Sequence, residues 1–176
     1  MLFAITGNLG QGKTASMVFL GLLQAVRGND IYSNIHLKLK YDGKKYPYKY
    51  IESPDEIDFI EHGCFLADEL WAWLDSRSSQ SKKNKISSKI LLSSRKRDYN
   101  VYYTTQFLHQ IDKRIRQITD YEASPVIIPT NKGKLCILDI YQLVAGQRVK
   151  LLKRKRFYIE PIFPLYDTNE EISSVD

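Results

Sequence analysis

Cysteine, methionine and tryptophan each occur only twice in this 176-residue chain, and proline six times. Cys64 and Cys136 stand far apart and form no metal-ligand spacing. Both sit in apolar runs, so buried thiols and an intracellular, reducing setting are expected. The three histidines, His36, His62 and His109, share no spacing either, and no metal site is expected from them. No apolar run reaches the roughly 18 residues of a membrane helix, so no transmembrane segment is expected. The N-terminus is a short strand-like run leading straight into a glycine loop, a pattern unlike a cleaved signal peptide. No internal repeat argues for a solenoid.

What is present is an ordinary core-forming composition, 43% hydrophobic and 26% charged, enough for one domain over residues 1–166. A polar, acidic tail over 167–176 is expected to fray. The formal charge of +6 makes an anionic partner, nucleic acid first, a candidate. A merely basic surface would give the same number.

The residues Gly7-Asn8-Leu9-Gly10-Gln11-Gly12-Lys13-Thr14 fit G-x-x-x-x-G-K-[ST], the phosphate-binding loop. Their context fits as well. Leu2–Thr6 reads as a strand, and Ala15–Arg27 as a helix stopped by Gly28-Asn29-Asp30. Glycines let the backbone approach a ligand, and the N–H groups from Asn8 through Leu9, Gly10, Gln11, Gly12, Lys13, Thr14 and Ala15 would face the phosphates of ATP. Lys13 would reach the β- and γ-phosphates, and the Thr14 hydroxyl would bind Mg²⁺.

Downstream, Cys64-Phe65-Leu66-Ala67-Asp68-Glu69 is an apolar strand ending in two carboxylates, a Walker B pattern. Asp68 would hold Mg²⁺ through water, and Glu69 would orient the attacking water or take its proton. The alternative is that both acids cap the helix that follows. Asn100–Thr105 reads as a further strand ending at Gln106, placed to sense the γ-phosphate or else to bond only backbone.

Elsewhere, Ile31–Leu37 reads as a strand, and Lys38–Tyr50 as a basic, tyrosine-rich hairpin turning at Asp42-Gly43. Ser53 and Glu56 form a capping box opening a short helix over Pro54–Glu61. Residues 76–88 read as a mobile loop, 89–97 as a helix, and 111–118 as another. Pro125–Pro129, Lys134–Val144 and Val149–Ile159 read as strands, the last two paired. The alternation predicts an α/β fold of the P-loop NTPase type: a three-layer sandwich whose mainly parallel sheet has helices on both faces, with antiparallel strands added late.

The series TGNLGQGKT, LADELWAWLDSR, SSRKRDYNVYYTTQ and QIDKRIR, over roughly residues 1–120, resembles the FtsK–HerA superfamily of P-loop ATPases. Its small viral branch is the nearest in pattern: genome-packaging ATPases of membrane-containing icosahedral viruses and zonula occludens toxin-like assembly ATPases of filamentous phages. The segment IFPLYDTNE is also similar to a Tyr-Asp-Thr segment of the toxin-like members.

The resemblance implies a Mg²⁺-dependent ATPase working as a homo-oligomeric, hexameric ring on double-stranded DNA, with capsid or viral membrane proteins as partners. It would act in the host cytoplasm or on the virion. The chain carries neither the extra domains of cellular translocases nor the C-terminal membrane segment of many toxin-like proteins, which tilts the expectation toward packaging. A toxin-like extrusion ATPase, a P-loop small-molecule kinase and a non-catalytic nucleotide-binding scaffold are the alternatives.

A ring also implies an arginine acting at a neighbour's γ-phosphate, with Arg97, then Arg77, then Arg95 as candidates ahead of Arg114 and Arg116. Any of them could be solvated surface charge instead. Lys82, Lys83, Lys85 and Lys89 would either line a DNA pore or sit on a solvated loop. Lys150, Lys153, Arg154, Lys155 and Arg156 read as charge protecting an edge strand. Trp71 and Trp73 would stack on bases or, more in keeping with their surroundings, fill core or interface. Tyr46, Tyr48 and Tyr50 read as one face of a strand.

Overall fold

The computed structural model describes residues 1–72 and 99–168. Ten strands and two α-helices of at least six residues lie within them. The strands are β1 (Leu2–Thr6), β2 (Ile31–Ser33), β3 (Lys40–Tyr41), β4 (Lys44–Lys45), β5 (Lys49–Tyr50), β6 (Gly63–Ala67), β7 (Tyr99–Thr105), β8 (Tyr121–Thr130), β9 (Gly133–Val144) and β10 (Gln147–Tyr158). The helices are α1 (Lys13–Val26) and α2 (Lys113–Ile118). Residues 70–72 begin a further helical turn.

Eight strands form one sheet in the order β10-β9-β8-β1-β7-β6-β2-β5. The run from β8 to β5 is parallel, whereas β9 and β10 fold back antiparallel. This is the mainly parallel α/β sheet with a late antiparallel addition that the sequence predicts. Strand β7 lies between β1 and β6, so three strand ends converge on one edge: Thr6, Thr105 and Ala67, with Thr6 paired to Thr105 and Ala67 to Tyr103.

Side-chain alternation builds two cores from the same strands. Phe3, Ile5, Leu66 and Tyr102 face α1, packing with Met17, Val18 and Leu20. Leu2, Ala4, Phe65, Ala67, Val101 and Tyr103 face the other way, against Ile57, Ile60, Leu70 and Ile115. Helix α1 lies close to the sheet because Gly21 has no side chain, and a Cβ there would collide with Leu66. Cys64 and Cys136 are both buried free thiols, as expected.

Local rules were followed with small shifts. The Asp42-Gly43 turn joins β3 to β4 with both residues at positive φ (49° and 74°), the backbone a tight hairpin turn requires. The capping box at Ser53 and Glu56 is formed, but it opens a 3-10 helix over Pro54–Phe59. Strand β2 ends at Ser33 and not Leu37, because the Asn34 side chain turns to the Asp68 backbone. Beyond it only an isolated bridge, Leu37 to Tyr166, continues the pairing. Helix α1 starts at Lys13, two residues earlier than the composition suggests. The mobile-loop and helix readings over 76–97 and the fraying expected beyond 168 lie outside the described residues. No helix among the described residues is long and apolar enough to cross a membrane.

Candidate nucleotide-binding site

Helix α1 begins in an unusual way. Its N-cap is Gly12 in the left-handed region (φ 80°), with no side-chain cap and no acid in the first turn. The first helical bond runs from the Ser16 N–H to the Gly12 carbonyl at 2.9 Å. Helix geometry therefore leaves the N–H groups of Lys13, Thr14 and Ala15 without helical acceptors, at the positive end of a 14-residue helix. An anion is what such an end lacks. A Cβ on Gly12 would press on Ile127 and Ile159 at 3.1 and 3.0 Å, so the loop is seated tightly on strand β8 and the end of β10. Gly10, by contrast, faces open space and has φ 75°.

The loop is held from within. The Gln11 side-chain oxygen accepts the Asn8 N–H at 2.8 Å, and the Gln11 N–H reaches the Asn8 carbonyl at 3.4 Å. Leu9 at the tip is 78% exposed. Lys13 is buried, and its Nζ donates to the Asn8 carbonyl at 3.3 Å while standing 3.8 Å from the Glu69 carboxylate.

The two acids after β6 meet this loop across the sheet edge. Thr14 Oγ1 lies 3.0 and 3.1 Å from the two oxygens of Asp68, 54 residues away. Thr104, at the end of β7, donates its hydroxyl to Asp68 at 2.8 Å and accepts the Glu69 N–H at 2.8 Å. One threonine thus sets both acids. Asn34 adds a second clamp, donating to the Asp68 carbonyl at 2.9 Å and accepting its N–H at 2.7 Å. Glu69 itself sits at φ 42°, a conformation costing about 1–2 kcal/mol for a residue with a side chain. The Trp71 indole N–H reaches its carboxylate at 2.9 Å.

Burial pushes the Asp68 carboxyl up to about 6, further raised by the neighbouring Glu69 charge and offset by the Thr104 and Thr14 hydroxyls and by Lys13. Desolvation is the largest of these influences, because a charge in a dry pocket is disfavoured. A divalent cation would remove that cost. The donor set suits a hard cation: one carboxylate and one hydroxyl, with oxygen ligands only. Among the described residues no cluster of three or more His, Cys, Asp or Glu could hold a metal alone. Mg²⁺ here would therefore take its remaining ligands from phosphates and water, as Mg²⁺ commonly does.

The structure brings together Lys13, Thr14, Asp68 and Glu69 and lays out Asn8–Ala15 as one loop. Gln106 is half-buried, and its carbonyl accepts the Gly7 N–H at 3.3 Å, so its main chain abuts the start of the loop. Arg114 is tied to Asp112, the N-cap of α2. Arg77, Arg95, Arg97, Trp73 and the lysines at 82, 83, 85 and 89 lie outside the described residues. Three partners escaped the sequence reading. Thr104 is a polar residue at the end of a strand, which was its available signal, while Asn34 fell in the middle of a segment read as a strand and offered none. Trp71 serves as a hydrogen-bond donor to Glu69, a role its apolar surroundings concealed.

No family model and no curated protein matches the chain significantly. Solved structures do resemble it. The N-terminal domain of zonular occludens toxin from Neisseria meningitidis superposes with a TM-score of 0.61 at 18% identity, covering 94% of this chain and 98% of that one. A KaiC-like protein from Pyrococcus horikoshii gives 0.57 at 11%, covering 92% and 87%. The flagellar accessory protein FlaH from Methanocaldococcus jannaschii gives 0.55 at 12%, covering 90% and 85%. At these identities the likeness is one of fold, and that fold is the P-loop NTPase α/β sandwich.

Proposed function

We propose that the chain is a Mg²⁺-dependent ATPase, a single P-loop domain over residues 1–166. The observation that carries this reading is the meeting of Thr14 with Asp68 and of Lys13 with Glu69 beside an uncapped helix N-terminus. Bound Mg·ATP would supply an electrophilic phosphorus and a metal that neutralises charge on the leaving group. The loop N–H groups and Lys13 would hold the phosphates, with Lys13 giving up its contact with Glu69 for them. Thr14 and Asp68 would hold the cation. Glu69 then takes a proton from, or orients, the attacking water, and Thr104 keeps its backbone in place. Gln106, whose main chain abuts the loop, would touch the γ-phosphate or that water.

The motor role builds on the same site. The resemblance to FtsK–HerA viral ATPases, whose rings are often hexamers, favours a homo-oligomeric ring that drives double-stranded DNA into a capsid. Arg97 or Arg77 would complete the site from a neighbouring subunit. A second reading, a toxin-like ATPase of phage assembly, draws support from the likeness to the toxin's N-terminal domain, which extends over nearly both whole chains. ATP turnover measured with and without duplex DNA, alongside particle mass under nucleotide, tests the role. Packaging predicts duplex-stimulated turnover and a ring mass. A monomer whose turnover ignores duplex DNA would reject it while leaving the ATPase reading standing.

A further inference from the structure

Between β2 and β5 the chain makes an excursion that the nucleotide site does not use. Residues 38–50 carry five lysines (38, 40, 44, 45 and 49) and four tyrosines (41, 46, 48 and 50) against one acid, Asp42. All five lysines are exposed. Alternation explains two of them: Leu37 and Leu39 are buried at 5% and 2%, so Lys38 and Lys40 point outward.

The excursion is built, not loose. Its base is fixed by the Lys38 N–H on the Leu165 carbonyl (2.7 Å), the Tyr46 N–H on the Leu39 carbonyl (3.0 Å) and the Leu37–Tyr166 bridge. Between the ribbon and Pro164–Leu165 runs a groove of about 720 Å³, whose walls include Lys38, Lys40, Lys45, Tyr46 and Tyr48.

No carboxylate among the described residues forms an ion pair with any of the five lysines. Instead Lys44 lies over the Tyr46 ring at 5.3 Å and Lys49 over Phe59 at 6.0 Å, with Phe59 itself 68% exposed. Cations gathered on one ribbon repel one another, and a folded ribbon keeps them together at a cost that a bound polyanion would relieve. The interleaved aromatic walls narrow the choice of polyanion. A duplex hides its bases and would meet only the lysines, whereas a single strand presents both phosphates and flat rings. The groove is of the size that accepts ligands of a nucleotide or two, roughly 300–1,000 Å³.

We propose that this lysine–tyrosine groove binds single-stranded nucleic acid, with Lys38, Lys40 and Lys45 on the phosphates and Tyr46 and Tyr48 against the bases. The site is separate from the nucleotide loop and does not depend on hydrolysis.

The test is fluorescence anisotropy in nucleotide-free buffer with a labelled oligothymidylate of about 12 residues. Its comparators are the same-length duplex, an abasic strand of the same length and polyglutamate. The oligothymidylate should bind at least about tenfold more tightly than either the duplex or the abasic strand, since stacking is lost in both. Replacing Lys38, Lys40 and Lys45 together by Ala, all surface changes, should weaken binding and reduce the slope of log affinity against log salt by about 2. ATP turnover of that variant should stay at the parent level. Equal affinity for the strand, the duplex and the abasic strand would overturn the proposal. So would an unchanged salt slope in the triple variant, or polyglutamate binding as well as the oligothymidylate.

Discussion

The two sides of the sheet handle polar groups in opposite ways. At the ends of β1, β6 and β7 the strands are short and buried, and the contacts that hold Asp68 join residues far apart in sequence: Thr14 to Asp68, Thr104 to Asp68, Asn34 to Asp68. On the β8–β10 side the strands run to 12 residues, and β10 is exposed along most of its length. There the pair Arg154 with Asp139 lies on the exposed ribbon itself, whereas Arg148, its guanidinium 4.4 Å from the Tyr141 ring centre, reaches in to the buried Glu122. Buried contacts between distant segments are hard to replace, while water can stand in for exposed pairs. Reactive chemistry belongs on the first side, where the field of each charge is strong and its position is fixed.

Substitutions can break or sharpen that contrast. The largest effect is expected at Glu69→Gln, which keeps shape but cannot take a proton. Turnover should fall by roughly 10²–10⁴ while ATP binding persists, read by phosphate release against equilibrium binding. Unchanged turnover would move the base elsewhere.

Asp68→Asn should act on stability and function in opposite directions. The folded pKa of Asp68, about 6, lies above the ordinary carboxylate value, so the folded nucleotide-free protein binds the proton more tightly than the unfolded chain does. Its contribution to stability is therefore present at low pH and is lost as pH rises from about 4 to about 6. The variant escapes that loss. Its advantage over the parent in thermal or urea unfolding should be near zero at about pH 4 and grow to as much as about 3 kcal/mol by neutral pH. The dependence of nucleotide binding on Mg²⁺ should disappear with it. A variant less stable than the parent at neutral pH would mean that the hydroxyl bonds to Asp68 outweigh its desolvation.

Asn34→Ala comes next. It leaves both the N–H and the carbonyl of Asp68 without their partner in a buried place, and should cost about 2 kcal/mol in urea unfolding. Loss of stability within error of zero would show that the clamp is replaceable. On the other side of the sheet, Arg154→Ala should leave the melting midpoint and turnover at parent values, because the arginine end of its pair is open to water. A measurable fall in either would erase the contrast.

Much of this was legible in the chain. The motif at Gly7–Thr14 needs a strand before it and a helix after it, and both are local properties that composition reveals. Asp68 and Glu69 close an apolar run, which marks a buried strand ending at a site. The Asp42-Gly43 turn and the Ser53 capping box are likewise local, set by backbone chemistry within a few residues. What could not be read was which residues would meet across the fold. That β7 inserts between β1 and β6 follows from sheet topology, and only this insertion makes Thr104 a neighbour of both acids. Asn34 looked like one more residue of a strand through Leu37, yet its side chain ends that strand early by bonding the Asp68 backbone. Trp71 looked apolar because its one polar atom is invisible to a hydropathy pattern.

The central claim is that loop amides, Lys13 and the Asp68–Thr14 pair together grip a magnesium triphosphate. Calorimetric titration of the nucleotide-free protein with a nonhydrolysable ATP analogue, with and without Mg²⁺, beside Lys13→Ala, tests it most directly. The account predicts one Mg²⁺-dependent site per chain in the parent and none measurable in the variant. Equal binding by both proteins, or heat from neither, would contradict it.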